Sequence, residues 1–261
     1  MTTLQVDHIR AKFHIDDYNQ KAPDVARQFE RIHDEVNPNV VMTFGGDGTF
    51  LKAFHENYHL QLPYLGINCG NVGYLINPIQ EVMDSIEQNK PLKCYSYPCL
   101  KVDASNGSTQ LSTQLAFNDA WIERLNGQCC WFEVIINGVV RIPKLCCDGI
   151  VVCTPAGSTG YSKSIGVMPI PPNANMIGFV PNNASYPLGI RPLYLPLDTE
   201  VIVKNIQPNR RKTRGFYDGV ELNEITELKI KAIENGCRVI YAHEENLNKT
   251  YINKVTKDFF E

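Results

Sequence analysis

Gly45-Gly46-Asp47-Gly48-Thr49 is the segment whose residue types point most directly to chemistry. Two glycines before an acid and one after it let the backbone come close to an anion. The free N–H groups at a helix start carry partial positive charge, which is how phosphates are held. A carboxylate repels phosphate, so Asp47 makes sense there if it holds a magnesium ion or takes a proton from an attacking hydroxyl. The simpler alternative is a tight turn whose acid caps the next helix. No Gly-Lys-Thr/Ser follows, so the loop is not a Walker A sequence.

Three further groups carry polar chemistry. Asn118 and Asp119 set an amide beside a carboxylate, suited to an adenine edge and paired ribose hydroxyls, or simply to a turn between strands. Thr154 to Tyr161 packs three hydroxyls, two glycines and a Tyr into eight residues. Short donors can surround a nucleotide while an aromatic face lies against a base, although an ordinary polar loop has the same composition. Asp148 either accepts hydrogen bonds from ribose or amide groups or begins a turn with Gly149.

The elements that must position these residues alternate at first. Val25, Phe29, Ile32 and Val36 recur at helical steps after Pro23-Asp24, and Asn37-Pro38 breaks the pattern. Val40 to Phe44 suits a buried parallel strand leading into the glycine loop. Thr49 opens a helix carrying Phe50, Leu51 and Phe54. Tyr64 to Ile67 reads as the next strand, and Ile79, Val82, Met83 and Ile86 as a further helix ended by Asn89-Lys90-Pro91. This is the βαβ rhythm of a Rossmann-like, doubly wound sheet. Past Pro91 helical periodicity fades. Strands are expected at Leu111 to Phe117, Trp121 to Glu123, Trp131 to Ile136, Ile150 to Cys153, Val201 to Lys204, Leu228 to Ala232 and Arg238 to Ala242. Asn137-Gly138 is the strongest hairpin signal. The expected organisation is an α/β N-terminal domain over 1–92 and a mostly β domain over 93–246. The stretch 247–261 is expected to cross back onto the first.

Composition excludes several classes. The 261 residues are 43% hydrophobic and 20% charged, so disorder is not expected. Lys plus Arg (25) nearly balances Asp plus Glu (28), leaving a net charge of −3 and no global field to gather nucleic acid. No apolar run reaches the roughly 18 residues of a membrane span, and no secretory signal opens the chain. Nine cysteines, an odd count without CxxC spacing, read as reduced thiols in a cytoplasm. The histidines show neither metal-ligand nor triad spacing, so no resident metal site is expected.

Gly45 to Thr49 resembles the signature shared by NAD kinases, diacylglycerol and sphingosine kinases, and 6-phosphofructokinases. Three more segments narrow the resemblance. Asn68-Cys69-Gly70-Asn71-Val72-Gly73-Tyr74-Leu75 is similar to the N-x-G-x-x-G-F-L segment of NAD kinases. Ala116-Phe117-Asn118-Asp119 resembles their Leu-Asn-Glu segment, and Asp148 to Tyr161 their D-G-x-x-x-x-T-P-T-G-S-T-A-Y stretch, the most specific of the set. Arg191 to Pro196 looks like their R-P-L-V-L-P strand. The matches keep family order from residue 40 to about residue 200, and the chain is identified as resembling a compact bacterial NAD kinase.

The resemblance implies transfer of the terminal phosphoryl group of ATP, or of inorganic polyphosphate, to the adenosine 2′-hydroxyl of NAD, giving NADP. It implies that Asp47 accepts the hydroxyl proton and that Gly45, Gly46, Gly48 and Thr49 face the phosphates. A divalent metal, magnesium, would be carried by the donor. By the same implication the NAD site takes in Asp47, Gly48, Tyr74, Asn118, Asp119, Cys146 and Asp148, together with Ser158, Thr159, Gly160, Tyr161, Ser162 and Ser164. A homodimer or homotetramer with sites completed across subunits is implied as well. The chain departs from the family at several points. Asp119 replaces Glu and sets its carboxylate on the order of 1.5 Å back. Gly160 replaces Ala, Val167 stands where a second Gly is usual, and Cys146 sits where many bacterial members carry Arg, with Lys144 or Arg141 as possible substitutes. A lipid kinase would share Gly45 to Thr49 but not Thr154 to Tyr161. A weakly catalytic dinucleotide sensor would retain binding without turnover. Arg210 to Arg214 reads as a solvated basic hairpin, and Trp121 and Trp131 as core.

Overall fold

The structure, a computed structural model, describes residues 2–4, 8–70, 73–242 and 247–260. It divides into a unit of residues 1–97 with 237–261 and a unit of residues 98–236. The first is a mixed α/β unit and the second is rich in β-structure.

In the first unit the strand Val40–Gly45 is buried along its whole length. It pairs in parallel with Ala11–Ile15 on one side and Tyr64–Asn68 on the other. A parallel strand covered on both faces needs apolar residues at every position, which is why Val40 to Phe44 carries no alternation. Helices Ala22–Arg27, Asp47–Asn57 and Ile79–Glu87 belong to this unit. Val25, Phe29, Met42, Phe44, Leu65, Ile67 and Val82 share one core. The helical pattern expected to run on to Val36 stops early: the helix ends at Arg27, a single tight turn Glu30–Ile32 follows, and Val36 is 84% exposed. The Asp34 carboxylate accepts the N–H groups of Val36 and Asn37 at 2.9 Å each. Such a local acceptor offers the backbone an alternative to helix.

In the second unit six strands order as Leu193–Pro196, Met176–Asn182, Gly149–Cys153, Asp119–Arg124, Thr213–Tyr217 and Val220–Glu224. Cys130–Ile136 and Val139–Cys147 form the hairpin expected at Asn137-Gly138, whose φ values are +49° and +76°. Glu200–Asn205 pairs with the first of these strands and with Glu227–Lys231. Ile122, Phe132, Ile150, Phe179, Val203 and Ile230 meet in one core.

The division falls at 97/98 and 236/237, where the sequence pattern suggested 92/93 and 246/247. Leu92–Asn106 and Glu227–Tyr241 are unbroken strands of 15 residues that each run from one unit into the other, so no loop marks either point. Leu228 to Ala232 and Arg238 to Ala242, expected as separate strands, fall on the second of these, which ends at Tyr241. Gly236, between those two runs, allows a close approach: a Cβ there would lie 2.4 Å from the Cys99 Cβ. Among the described residues no helix is long and apolar enough to cross a membrane.

Candidate functional site

The glycine loop lies at the C-terminal end of Val40–Gly45, where ligands gather in open α/β sheets. Helix Asp47–Asn57 begins within it, with Gly46 as an extended N-cap residue. Gly45 is required by packing, because a Cβ there would lie 2.2 Å from Thr49 Oγ1. Gly46 and Gly48 have open space around them. Thr49 is buried, and its hydroxyl is committed to bracing the loop: it accepts the Gly46 N–H at 3.3 Å and donates to Asp16 Oδ2 at 2.8 Å. That hydrogen bond, with the Tyr18 N–H behind it, holds the Asp16 carboxyl below its usual value.

Asp47 lies in the first turn of the helix, and its carboxylate is pinned. Oδ2 accepts the Tyr74 N–H at 2.8 Å and Oδ1 accepts the Leu75 N–H at 3.0 Å. Two N–H groups on two oxygens leave a lone pair on each oxygen. Gly73 lets this segment come so close, since a Cβ would sit 2.8 Å from Asp47 Oδ1. Asn71 and Val72 of the same motif lie outside the described residues. The Tyr74 hydroxyl donates to Asp258 Oδ2 at 3.0 Å, and burial followed by that carboxylate raises its pKa. Lys254 Nζ donates to the Tyr74 and Ile76 carbonyls at 3.2 and 3.4 Å. Burial pulls the Lys254 ammonium below its ordinary pKa, and Asp47 opposes the shift. Helix Leu247–Phe260 thus meets the Tyr74 segment through two polar side chains. A cleft of about 390 Å³ beside the loop is lined by Asp16, Asp17, Gly46, Gly48, Thr49 and Lys52. It combines loop backbone, a lysine and carboxylates.

In the second unit Asn118 precedes the strand Asp119–Arg124, and the backbone there is organised by a residue that the sequence analysis passed over. The Asp218 carboxylate accepts three consecutive N–H groups: Phe117 at 2.6 Å, Asn118 at 2.7 Å and Asp119 at 3.0 Å. Asp218-Gly219 forms a turn with φ of +46° and +84° between Thr213–Tyr217 and Val220–Glu224. An Asp-Gly pair between β-rich runs is a hairpin signal, so its position was available to a sequence reading, although its role as acceptor was not. Thr154 Oγ1 adds a hydrogen bond to the Phe117 carbonyl at 2.7 Å. Gly157 lies against this backbone so closely that a Cβ would stand 2.1 Å from the Asn118 carbonyl oxygen. Neither side of that contact is a flexible side chain, so Gly157→Ala is expected to cost at least about 3 kcal/mol of stability, read as a lower denaturant midpoint. A cost under about 1 kcal/mol would show that the loop yields freely.

Held in this way, Asn118 buries its side-chain oxygen with no hydrogen-bond partner. An unmet buried acceptor is costly, so it marks a place where a ligand donor would fit. Asp119 is 4% exposed, and burial, followed by the Asp218 carboxylate, pushes its pKa up to about 8. The shift is upward, so the stability it represents is full below the ordinary value of 3.8 and is lost as pH rises through about 8. Asp119→Asn is therefore expected to gain stability relative to the native chain at pH 9 compared with pH 5. An equal difference at the two pH values would remove the buried acid.

The hydroxyls from Thr154 to Ser164 are largely spent on their own backbone. Ser158 Oγ donates to the Pro155 carbonyl at 2.6 Å and accepts the Ile170 N–H at 2.8 Å. Thr159 donates to the Ala156 carbonyl and Ser164 to the Tyr161 carbonyl. Ser162 is buried. Gly160 is exposed, and so is Tyr161, whose ring lies 5.2 Å from Trp121. Trp121 is half-buried and stacks on Phe216 at 4.7 Å, and Trp131 is half-buried beside Tyr186, so neither is a plain core residue. Asp148 is paired with Arg124 Nε at 2.8 Å and accepts from Asn183 Nδ2 at 2.9 Å. Cys146 is buried, with its sulfur 2.9 Å from that of Cys129. The basic segment is partnered rather than merely solvated: Lys212 pairs with Glu224, and Arg214 with Glu123 and Glu221.

Comparison with known proteins agrees with these motifs. A sequence profile of the ATP-NAD kinase N-terminal domain matches residues 3–88, and one of the C-terminal domain matches residues 118–240. The chain is 27% identical over 248 residues to the NAD kinase of Rickettsia bellii, covering 93% of this chain and 94% of that one. It is 28% identical over 249 residues to that of Rickettsia akari, covering 93% and 96%. Among solved structures, yeast NADH kinase complexed with NADH superimposes with a TM-score of 0.74 at 21% identity, over 86% of this chain and 67% of that one. An NAD kinase from Archaeoglobus fulgidus in complex with ATP gives 0.69 at 20% identity, over 94% and 97%. At these identities the two structures establish the fold.

Proposed function

Because the chain belongs to the NAD kinase family, we propose that it transfers the terminal phosphoryl group of ATP to the adenosine 2′-hydroxyl of NAD, giving NADP, with Asp47 accepting the hydroxyl proton. The observation that carries this reading is the Asp47 carboxylate, fixed by two backbone N–H groups at a helix start beside an open glycine loop. Its remaining lone pairs are free to receive a proton, and its position is set before any substrate arrives. Gly46 and Gly48 leave room for phosphate oxygens against the backbone. The unmet Asn118 oxygen suits the exocyclic amine of an adenine. Asp119, as a neutral acid below pH 8, can both donate to and accept from a ribose hydroxyl.

Magnesium fits the residues present. Bound magnesium is usually held by one or two carboxylates, with substrate phosphates and water completing the shell. Asp16 and Asp17 supply those carboxylates in the cleft that Gly46 and Gly48 also line. When bound, the ion would neutralise charge on the donor phosphates. Lys52, 3.4 Å from Asp17, would add a second cation near the transferred group.

The test is NADP formation by the purified chain with NAD, magnesium and either ATP or polyphosphate. Turnover with one or both donors is expected. NAD binding without turnover by either would overturn the kinase reading in favour of a dinucleotide sensor, and phosphorylation of a lipid in place of NAD would overturn the choice of substrate.

A further inference from the structure

We propose that Cys129 and Cys146 form a dithiol modification site, which a low-molecular-weight disulfide oxidises to an intramolecular disulfide. Nothing in the phosphotransfer reading uses the sulfur of either residue as a nucleophile, and the proposal does not depend on that reading.

The two residues lie at the open end of the hairpin Cys130–Ile136 and Val139–Cys147, where Trp131 stands opposite Cys146. Cys129 is therefore the diagonal neighbour of Cys146, and the sulfurs are 2.9 Å apart, inside ordinary van der Waals separation though both are thiols. Their environments differ. Cys146 is 5% exposed and Cys129 is half-buried, so a reagent in solution meets Cys129 first. Arg211 Nη1 lies 3.4 Å from the Cys129 sulfur and also donates to the Cys129 carbonyl. Arg211 Nε is itself buried with no hydrogen-bond partner.

The adjacent pair, Cys130 and Cys147, lie opposite each other in the strand register yet are disposed differently. Both are fully buried. Cys130 points its thiol at the carbonyls of Arg211 and Lys212, and Cys147 at that of Gly149, 3.2 Å away. Burial pushes the Cys130 thiol up to about 11 and raises Cys147 further, so both are held as unreactive thiols. A metal centre is not the explanation of the cluster, because among the described residues no three potential ligands are placed to share an ion.

The chemistry balances as thiol–disulfide exchange. Cys129 gives its proton to solvent, and its thiolate attacks one sulfur of the small disulfide RSSR. The S–S bond breaks, and RS⁻ leaves and takes up a proton as RSH. Cys146 then loses its proton and attacks the Cys129 sulfur, displacing the second RS⁻, which is likewise protonated. Two protein thiols are oxidised, one RSSR is reduced to two RSH, and excess thiol reverses the sequence. The bond would tie the strand end that leads into Asp148. The Cys146 N–H already donates to the Tyr186 carbonyl, and the Cys146 carbonyl accepts from Ser185.

The experiment incubates the folded, full-length protein with glutathione disulfide, quenches by alkylation, and reads intact mass and a peptide map. The expected native product is two hydrogens lighter, with residues 129 and 146 linked, and it returns to free thiols with dithiothreitol. Cys146→Ser is expected to trap a glutathione adduct on Cys129, and Cys129→Ser to give neither product. A stable adduct on native Cys129, a Cys130–Cys147 link, or nine alkylated thiols would overturn the proposal. The native peptide map decides it even where a variant fails to fold.

Discussion

Asp47→Asn is expected to lower NADP formation by a hundredfold or more at saturating NAD and donor. A positioned general base typically contributes on the order of 10²–10⁴ to rate, and an amide at this position cannot accept the 2′-hydroxyl proton. The geometry adds a second effect. Both carboxylate oxygens accept backbone N–H groups, from Tyr74 and Leu75. An Asn keeps one acceptor and turns an NH₂ toward the other donor, leaving a buried N–H unmet at about 1–3 kcal/mol. The substitution therefore affects both chemistry and the seating of the Tyr74 segment, and the two separate by measurement. The chemical loss appears in kcat at temperatures where the variant is folded, and the structural loss appears as a lower denaturant midpoint. A fall in kcat of less than tenfold in a folded variant would remove Asp47 as proton acceptor and leave it as an anchor for Tyr74 and Leu75.

Much of the fold could be read from the sequence where one physical signal dominated. Val40 to Phe44 is an unbroken apolar run because both faces are covered, and Asn137-Gly138 marks its hairpin because both residues tolerate positive φ. The helix ending at Arg27 escaped because the acceptor that unseats it, Asp34, is a side chain whose local bonding competes with an otherwise good helical period. Gly236 escaped because a glycine demanded by the neighbouring Cys99 looks the same in sequence as a glycine that breaks a strand. The same distinction runs through the site. Residue types singled out the glycine loop and Asn118-Asp119 as candidates, since these are local. The partners that position them stand far along the chain: Asp16 is 33 residues from Thr49, and Asp218 is 99 residues from Asp119. Hydroxyl-rich composition was ambiguous in another way. Ser158, Thr159 and Ser164 read as ligand donors, yet their hydroxyls close turns within the loop itself. What the loop offers outward is Tyr161, with its ring near Trp121.

Asp218→Asn tests the Asn118–Asp119 segment of the second unit, and its effect is expected to fall on NAD affinity as well as on stability. One carboxylate accepts three successive N–H groups at 2.6–3.0 Å, from Phe117, Asn118 and Asp119. Hydrogen bonds to a charged acceptor contribute about 1.5–3 kcal/mol each, and replacement by an amide leaves a neutral oxygen to serve three donors. A stability loss of about 3 kcal/mol is expected, because the substitution weakens several charge-assisted bonds without removing the side chain. The Asn118 oxygen and the Asp119 carboxyl are aimed by this backbone, so KM for NAD is expected to rise about tenfold while kcat with saturating NAD changes less, which corresponds to about 1.4 kcal/mol of lost ground-state binding. A purely structural role for Asp218 would lower the melting midpoint and leave KM for NAD at its native value. A further readout separates the two. Asp218 is the charged neighbour that helps to push Asp119 up to about 8, so its neutralisation moves the Asp119 titration downward. The pH at which stability falls is then expected to shift toward acid in Asp218→Asn. If that pH stays where it is in the native chain, burial alone sets the Asp119 value, and the carboxylate serves only to hold the Phe117 to Asp119 backbone.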